Sequence, residues 1–92
     1  MTEFVRLDYY SDPGHGWYRV KRSLLSAYGA TSAISEYSYQ RGHYVYLEED
    51  QDVVVFTRAV EASGDKVEII GSTTTDEDSF IRNMDRYVGG AQ

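Results

Sequence analysis

The chain has 92 residues, of which 41% are hydrophobic and 26% are charged, and this length and composition predict a single globular domain over residues 1–92. It contains no cysteine, which excludes disulfides, thiolate zinc sites and cysteine nucleophiles. Fifteen acidic residues against nine lysines and arginines give a formal net charge of -6, which argues against a nucleic-acid backbone as the main partner.

The first part of the chain predicts two strands and a short helix. In residues 3–10, Phe4, Arg6 and Asp8 alternate with Val5, Leu7 and Tyr9, which is typical of a strand with the last three of these residues on its buried face. Residues 11–16 are rich in turn formers, and residues 17–20 predict a second strand. Ser23 is placed to cap a short helix over residues 24–28, and the glycine that follows predicts its end.

The middle of the chain predicts a β-hairpin. Residues 34–39 and 43–49 are rich in tyrosine, valine and isoleucine, and Arg41 and Gly42 form the predicted two-residue loop. In this register four tyrosines share one face of the hairpin, because side chains alternate along a strand, and we expect this face to be open to water. These are Tyr37, Tyr39, Tyr44 and Tyr46. If Gly42 forms a bulge instead, the register moves by one residue and the tyrosines divide between the two faces.

The last part predicts a helix, a strand and a second helix. The β-branched residues within 53–60 would suit a strand, but Asp50 or Asp52 can cap a helix over these residues and Gly64 would end it, so a helix is favoured. Residues 66–71 predict a strand. Thr75 and the three acidic residues after it match a capping box. The helix that they predict carries an apolar face. Its members are Phe80, Ile81, Met84 and either Tyr87 or Val88.

Together these elements predict the α+β class. Strands joined by short loops favour a mostly antiparallel sheet of four to five strands, with two to three helices packed on one face. Residues 89–92 are rich in glycine, and we expect them to form a frayed tail.

The first candidate site combines the hairpin tyrosines with the acidic run that follows them. Tyrosine is enriched at protein interfaces, and an acidic rim favours a partner with a basic surface. The predicted partner-binding residues are Tyr37, Tyr39, Tyr44, Tyr46, Glu48, Glu49, Asp50 and Asp52. In the alternative interpretation the rings only cover the sheet, and the acids form a solvated patch that caps a helix. The acids lack the spacing of an EF-hand loop, so no metal is predicted.

The second candidate site is the glycine turn around His15. Histidine is a common general acid or base, and a glycine on each side could expose this one, with Asp12 and Trp17 close in sequence. These three residues predict an alternative function, a small ligand-binding or hydrolytic protein. No metal-binding, serine-nucleophile or phosphate-loop motif accompanies them, so the sequence predicts no cofactor and favours a protein without enzymatic activity.

Three segments resemble one family of proteins. They are DPGHGW at residues 12–17, SEYSYQRG at residues 35–42 and VYLEED at residues 45–50. This pattern is similar to small uncharacterised proteins encoded by bacteriophages and mobile elements, and the resemblance covers residues 11–60, with a looser match at residues 79–82. The family has no established activity that could be transferred to this chain.

The resemblance implies a phage accessory protein in the host cytoplasm, which binds a host or phage protein with a basic surface. By analogy with small acidic proteins from the same setting, it would inhibit a host defence complex, as an anti-CRISPR protein does, by occluding a nucleic-acid-binding site. Direct binding of nucleic acid is not expected. No apolar run is long enough to span a membrane, and no signal peptide is visible, so no membrane partner is expected. A structural module that forms a homodimer through its tyrosine face is a further alternative.

Overall fold

The computed structural model describes residues 2–89, in which six strands form one sheet and two α-helices pack against it. The strands are β1 (Phe4–Ser11), β2 (Gly16–Lys21), β3 (Tyr39–Arg41), β4 (Tyr44–Glu48), β5 (Lys66–Thr74) and β6 (Asp85–Arg86). The helices are α1 (Arg22–Ala27) and α2 (Asp52–Ala62), and two short 3-10 turns cover Thr31–Ala33 and Phe80–Asn83. Within the described range, no helix combines the length and apolar character needed to cross a membrane.

The sheet has the strand order β5-β1-β2-β4-β3-β6. Neighbouring strands run antiparallel except β1 and β5, which are parallel. Helix α2 makes this parallel pair possible because it carries the chain from the end of β4 back to the start of β5. The predicted α+β class, with a mostly antiparallel sheet and two helices, is confirmed, and the sheet has one strand more than expected.

One face of the sheet carries a mostly aliphatic core beneath the two helices, which we call the aliphatic core. Its buried members are Val5, Leu7, Val20, Leu25, Ala30, Ile34, Val45, Leu47, Phe56, Val60 and Tyr87. Phe56 and Val60 lie one turn apart on α2, so a single stripe of that helix meets the sheet. The period-2 pattern of β1 correctly placed Val5 and Leu7 inside.

The opposite face carries a second, aromatic core, which is covered by the 3-10 turn Phe80–Asn83 and the residue after it. Its buried members are Trp17, Tyr39, Tyr46, Ile81 and Met84. Tyr10 and Tyr44 pack against it and are partly buried. Because both faces are covered, the molecule has three layers rather than the two that the sequence predicted.

The predicted hairpin is shorter than expected and has a different loop. Residues 34–38 form turns instead of a strand, since the carboxylate of Asp52 accepts hydrogen bonds from the hydroxyls of Ser35 (2.7 Å) and Ser38 (2.5 Å). Arg41 pairs with Tyr44, which leaves Gly42 and His43 as the loop. Gly42 has a φ of 57°, a backbone angle that glycine adopts without steric cost.

This register differs from the predicted one by two residues, since Tyr39 faces Tyr46 rather than Tyr44. A shift of two residues keeps every side chain on its original face, so Tyr39, Tyr44 and Tyr46 share one face. Tyr37 lies outside β3 and does not join them.

The helix predicted from the capping box at residues 75–78 is absent. The N–H of Thr75 donates to the carbonyl of Ser11 (3.0 Å), and Ser79 caps the next turn by accepting from the N–H of Ile81 (3.2 Å). That turn contains four residues, and strand β6 follows it. The apolar spacing of this segment therefore reflects packing against the aromatic core, and Tyr87 packs into the aliphatic core instead.

The predicted start of α1 is also wrong. The helix begins at Arg22, with Lys21 at the N-cap position and no side-chain cap, so Ser23 lies inside its first turn. The predicted end is confirmed, since Gly29 has a φ of 68°. Gly64, with a φ of 86°, follows the end of α2 in the same way. Of the predicted frayed tail, residues 90–92 lie outside the described residues.

Candidate binding cleft

A cleft of about 410 Å³ brings parts of the two predicted sites together. It lies between the turn that follows β1, the end of β4 and the segment from the second 3-10 turn to β6. Its lining residues are His15, Trp17, Tyr37, Tyr39, Glu48, Asp50, Gln51, Arg82 and Arg86. The first predicted site contributes two tyrosines and two acids, and the second contributes the histidine and the tryptophan.

Asp12 joins two of the segments that form this cleft. Its side chain is fully buried, and its carboxylate accepts hydrogen bonds from the backbone N–H groups of Gly14 (3.0 Å), His15 (3.0 Å) and Ser79 (2.9 Å). Arg82 adds two more, from Nε to Oδ2 (2.6 Å) and from Nη2 to Oδ1 (2.9 Å). The Arg82 guanidinium therefore holds the pKa of Asp12 far below its usual range. Asp12 acts as a fixed structural anion, which leaves it unsuited to act as a base.

Arginines and aromatic rings alternate along the wall of the cleft. The guanidinium carbon of Arg82 lies 5.4 Å from the ring centroid of Trp17, and that of Arg86 lies 4.8 Å from the centroid of Tyr39. The two rings meet edge to face with centroids 6.1 Å apart. These contacts combine cation–π attraction with a favourable ring geometry, so they hold the wall in one arrangement.

Three of the four acids in the predicted site have structural roles. The carboxylate of Glu48 accepts from the N–H groups of Asp50 (2.7 Å), Gln51 (2.8 Å) and Asp52 (3.2 Å), and so caps the start of α2. Glu49 accepts from the hydroxyl of Tyr9 (3.0 Å), and burial together with this carboxylate raises the pKa of that tyrosine.

Asp52 has no exposed surface, and its carboxylate accepts from the N–H and hydroxyl of Ser35 and from the hydroxyl of Ser38. The expected solvated acidic block is therefore wrong for Asp52, and so is the prediction that this residue caps α2. Asp50 is the exposed member of the run.

The four predicted tyrosines also differ in their surroundings. Tyr39 and Tyr46 are only 8% and 6% exposed, so the expectation that all four rings face water is wrong for these two. Tyr44 is partly buried away from the cleft, with the guanidinium of Arg19 lying 4.6 Å from its ring centroid. Tyr37 stands at the cleft with 65% of its surface exposed.

His15 borders the cleft without a catalytic arrangement around it. Its backbone N–H donates to Asp12, and its ring lies 6.1 Å from the ring of Trp17, between centroids. Within residues 2–89, no group of three or more histidine, aspartate or glutamate side chains is placed to hold a metal ion.

Sequence reasoning missed Arg82 and Arg86. Both lie in the segment that was predicted to be helical, and a helix prediction does not indicate which group an arginine side chain contacts. The signal that could have located one of them is Asp12, because a carboxylate in a turn between two buried strands needs a cation or several N–H donors. Nothing in the sequence indicates which of the nine basic residues supplies it.

No protein-family model, curated protein or solved structure matches this chain. The resemblance to phage proteins therefore depends only on the residues quoted for it.

Proposed function

We propose that this protein is a non-enzymatic binding protein, which holds a partner protein with a basic surface at the rim of the cleft. The observation that carries the proposal is the position of Tyr37, which is 65% exposed beside a concave wall of ordered aromatic rings and arginines. Tyrosine is enriched among the residues that contribute most to binding at protein interfaces, and such residues pack into well-formed pockets. Tyr37 next to this cleft fits that description.

The charge of the second half of the chain favours a basic partner. Residues 48–92 contain eleven acidic residues against four basic ones. Asp50 is exposed at the cleft, and the two arginines of the wall already stack on aromatic rings. A lysine or arginine of the partner could therefore lie between the carboxylate of Asp50 and the ring of Tyr37, combining an ion pair with a cation–π contact.

The cleft is also organised in advance of binding. Among residues 2–89, every buried side-chain nitrogen or oxygen has a hydrogen-bond partner. The wall therefore needs little ordering when a partner arrives, and this lowers the entropic cost of association.

The resemblance to phage proteins adds a biological setting to this proposal. In that setting the partner is a host or phage protein, and the acidic surface would inhibit a defence complex by covering a site that normally binds nucleic acid. The alternative function is a small ligand-binding or hydrolytic protein that uses the glycine turn around His15, which lines the same cleft.

The test uses Trp17, which is the chain's single tryptophan and lines the cleft, as a fluorescent reporter. We expect an oligo-arginine peptide to change its emission, and we expect Tyr37→Ala and Asp50→Lys each to weaken this binding about tenfold. Arg58→Ala, on the exposed side of α2, is the matched control and should bind as the wild type does. Equal affinities for all four proteins, or no binding of the peptide, would overturn the proposal.

The natural partner can be captured from the same position. A photoreactive phenylalanine analogue at residue 37 should crosslink one protein in a lysate of infected host cells, and the same analogue at residue 58 should not. Capture should weaken at high salt, because ions screen a contact between opposite charges. Equal capture from both positions, or from neither, would contradict a partner seated at the cleft.

A further inference from the structure

One end of the sheet is basic, although the chain as a whole has a net charge of -6. Lys21 ends β2, Arg41 ends β3 and Tyr44 begins β4, so the three residues lie at the same end. Lys21 and Arg41 each pair with Tyr44 from the strands on either side of it, and paired residues project from the same face. Arg22 begins α1 directly after Lys21. We call the three cations Lys21, Arg22 and Arg41 the basic corner.

A hollow of about 640 Å³ opens at the basic corner. Its lining residues are Lys21, Arg22, Ser23, Ser26, His43 and Tyr44. No acid of the described chain contributes to this lining. The adjoining hollow shares Lys21 and Tyr44 and includes two acids, Glu3 and Asp8, but Asp8 is already paired with Arg19 at 2.8 Å. The first hollow therefore presents cations and hydroxyl groups without competing carboxylates.

The cations of the basic corner have no carboxylate partner within residues 2–89. Arg22 is partly buried, and its guanidinium donates only to neutral acceptors. Nε and Nη2 donate to the carbonyl of Gly42 (3.2 and 3.0 Å), and Nη1 donates to Oε1 of Gln40 (3.0 Å). These bonds fix the position of the guanidinium and leave its charge uncompensated. A partly buried cation in this state favours an anion supplied from outside the chain.

The two acidic clusters lie at the other end of the sheet. Glu48 ends β4, about 14 Å along the strand from Tyr44, and the acidic residues 76–78 follow the end of β5. Exposed charges more than about 8 Å apart are largely screened at physiological ionic strength. These clusters therefore oppose an anion at the basic corner only weakly.

The acids at the same end of the sheet are set apart from the basic corner. Most of them belong to β1, to β5 or to the residues that lead into these strands. They are Glu3, Glu61, Asp65 and Glu68. Strand β2 separates β1 and β5 from β4 and β3. Asp85 of β6 pairs with Gln40, so its side chain projects from the face opposite to that of Arg41, and it forms no ion pair with Arg22.

We propose that the basic corner binds an acidic segment of a partner protein, with one carboxylate at Lys21 and a second at Arg41. These two residues lie on β2 and β3, two strand spacings or about 10 Å apart, with Tyr44 between them. Carboxylates two residues apart in an extended segment stand about 7 Å from each other, so each can meet one of the cations. A segment with several carboxylates therefore fits the corner better than a single small anion does.

The surroundings of Tyr44 favour an acidic peptide over a single-stranded nucleic acid. Nucleic-acid-binding sheets combine positive charge with exposed rings on which bases stack. Tyr44 is partly buried, and the guanidinium of Arg19 lies 4.6 Å from its ring centroid, so one face of this ring is occupied. The proposal does not depend on the function proposed for the cleft, which lies at the opposite end of β2, beside Trp17.

The first test measures the binding of a fluorescently labelled oligo-glutamate peptide by anisotropy. We expect the wild-type chain to bind it, and we expect Lys21→Glu and Arg41→Glu each to weaken binding about tenfold, because each replaces an attraction with a repulsion. Arg58→Glu makes the same change of charge at an exposed position of α2 and should bind as the wild type does. No binding by the wild type, or equal losses in the three variants, would overturn the proposal.

The second test separates the basic corner from the cleft and a peptide from a nucleic acid. Arg86→Glu reverses the charge of an exposed arginine of the cleft wall and should keep the affinity for oligo-glutamate. Lys21→Glu should bind oligo-arginine at least as tightly as the wild type does. A single-stranded DNA of the same net charge should bind more weakly than the peptide. Loss of oligo-glutamate binding in Arg86→Glu, or tighter binding of the DNA, would refute the proposal and leave the oligo-arginine test of the cleft unaffected.

Discussion

The helix-covered face of the sheet is held by aliphatic side chains, whereas the opposite face is held by aromatic rings and arginines. On the first face, Leu7 and Phe56 have no exposed surface and make no polar contacts of their own. On the second face, the short segment after Ser79 covers the rings and is fastened by the ion pair of Asp12 and Arg82.

This difference explains where the cleft lies. Aliphatic burial is non-directional, so the two helices can bury the apolar side chains of their face by close packing. The aromatic face depends on directed contacts, such as the guanidinium of Arg86 over the ring of Tyr39. A single 3-10 turn covers only part of that face, and the cleft occupies the side that remains open.

The largest expected effect is on the aliphatic face. Phe56→Ala should lower the free energy of unfolding by about 3–5 kcal/mol, because it leaves a cavity between α2 and the sheet. Chemical denaturation followed by circular dichroism measures this loss. Val54→Ala, at an exposed position of the same helix, should change stability by no more than about 0.5 kcal/mol. A loss of less than about 1 kcal/mol for Phe56→Ala would show that α2 does not anchor the core.

An intermediate effect is expected on the aromatic face. Ile81 is fully buried there, and Ile81→Ala should cost about 2–4 kcal/mol of unfolding free energy. The variant should also loosen the covering segment, so the emission of Trp17 should move toward that of a solvated indole while the helical signal stays constant. If the helical signal falls in parallel, the two faces of the sheet lose their structure together and are not independent.

The smallest effect is a change in acid sensitivity. Because the folded state lowers the pKa of Asp12, this carboxylate contributes stability above the usual aspartate pKa of about 3.9, and that contribution is lost progressively as the pH falls below it. Asp12→Asn should therefore be less stable at neutral pH and show a shallower loss of stability between about pH 5 and pH 2. Denaturation at several pH values measures the slope, with Asp50→Asn as the exposed control. Identical slopes for Asp12→Asn and the wild type would contradict this role.

The elements that could be predicted are those whose signals act over a few residues. The alternation of residues 3–10 located β1, and the sequence from Asp52 to Gly64 located α2 and its end. The misassigned segments are those in which distant groups compete with the local signal. Residues 34–38 are held in turns by hydrogen bonds to Asp52. The capping box at residues 75–78 does not start a helix, because Asp12 binds Ser79 and Arg82 and holds the segment after it in another conformation.

The sequence by itself determined the α+β class and the presence of a tyrosine-rich hairpin whose register it left open, because side-chain alternation and turn residues depend on near neighbours. Only the tertiary structure decided which of these rings are buried and that the turn around His15 meets Tyr37 in one cleft. The physical reason is the distance along the chain: the bond between Asp12 and Arg82 joins residues 70 positions apart, and the order of the strands alone brings them together.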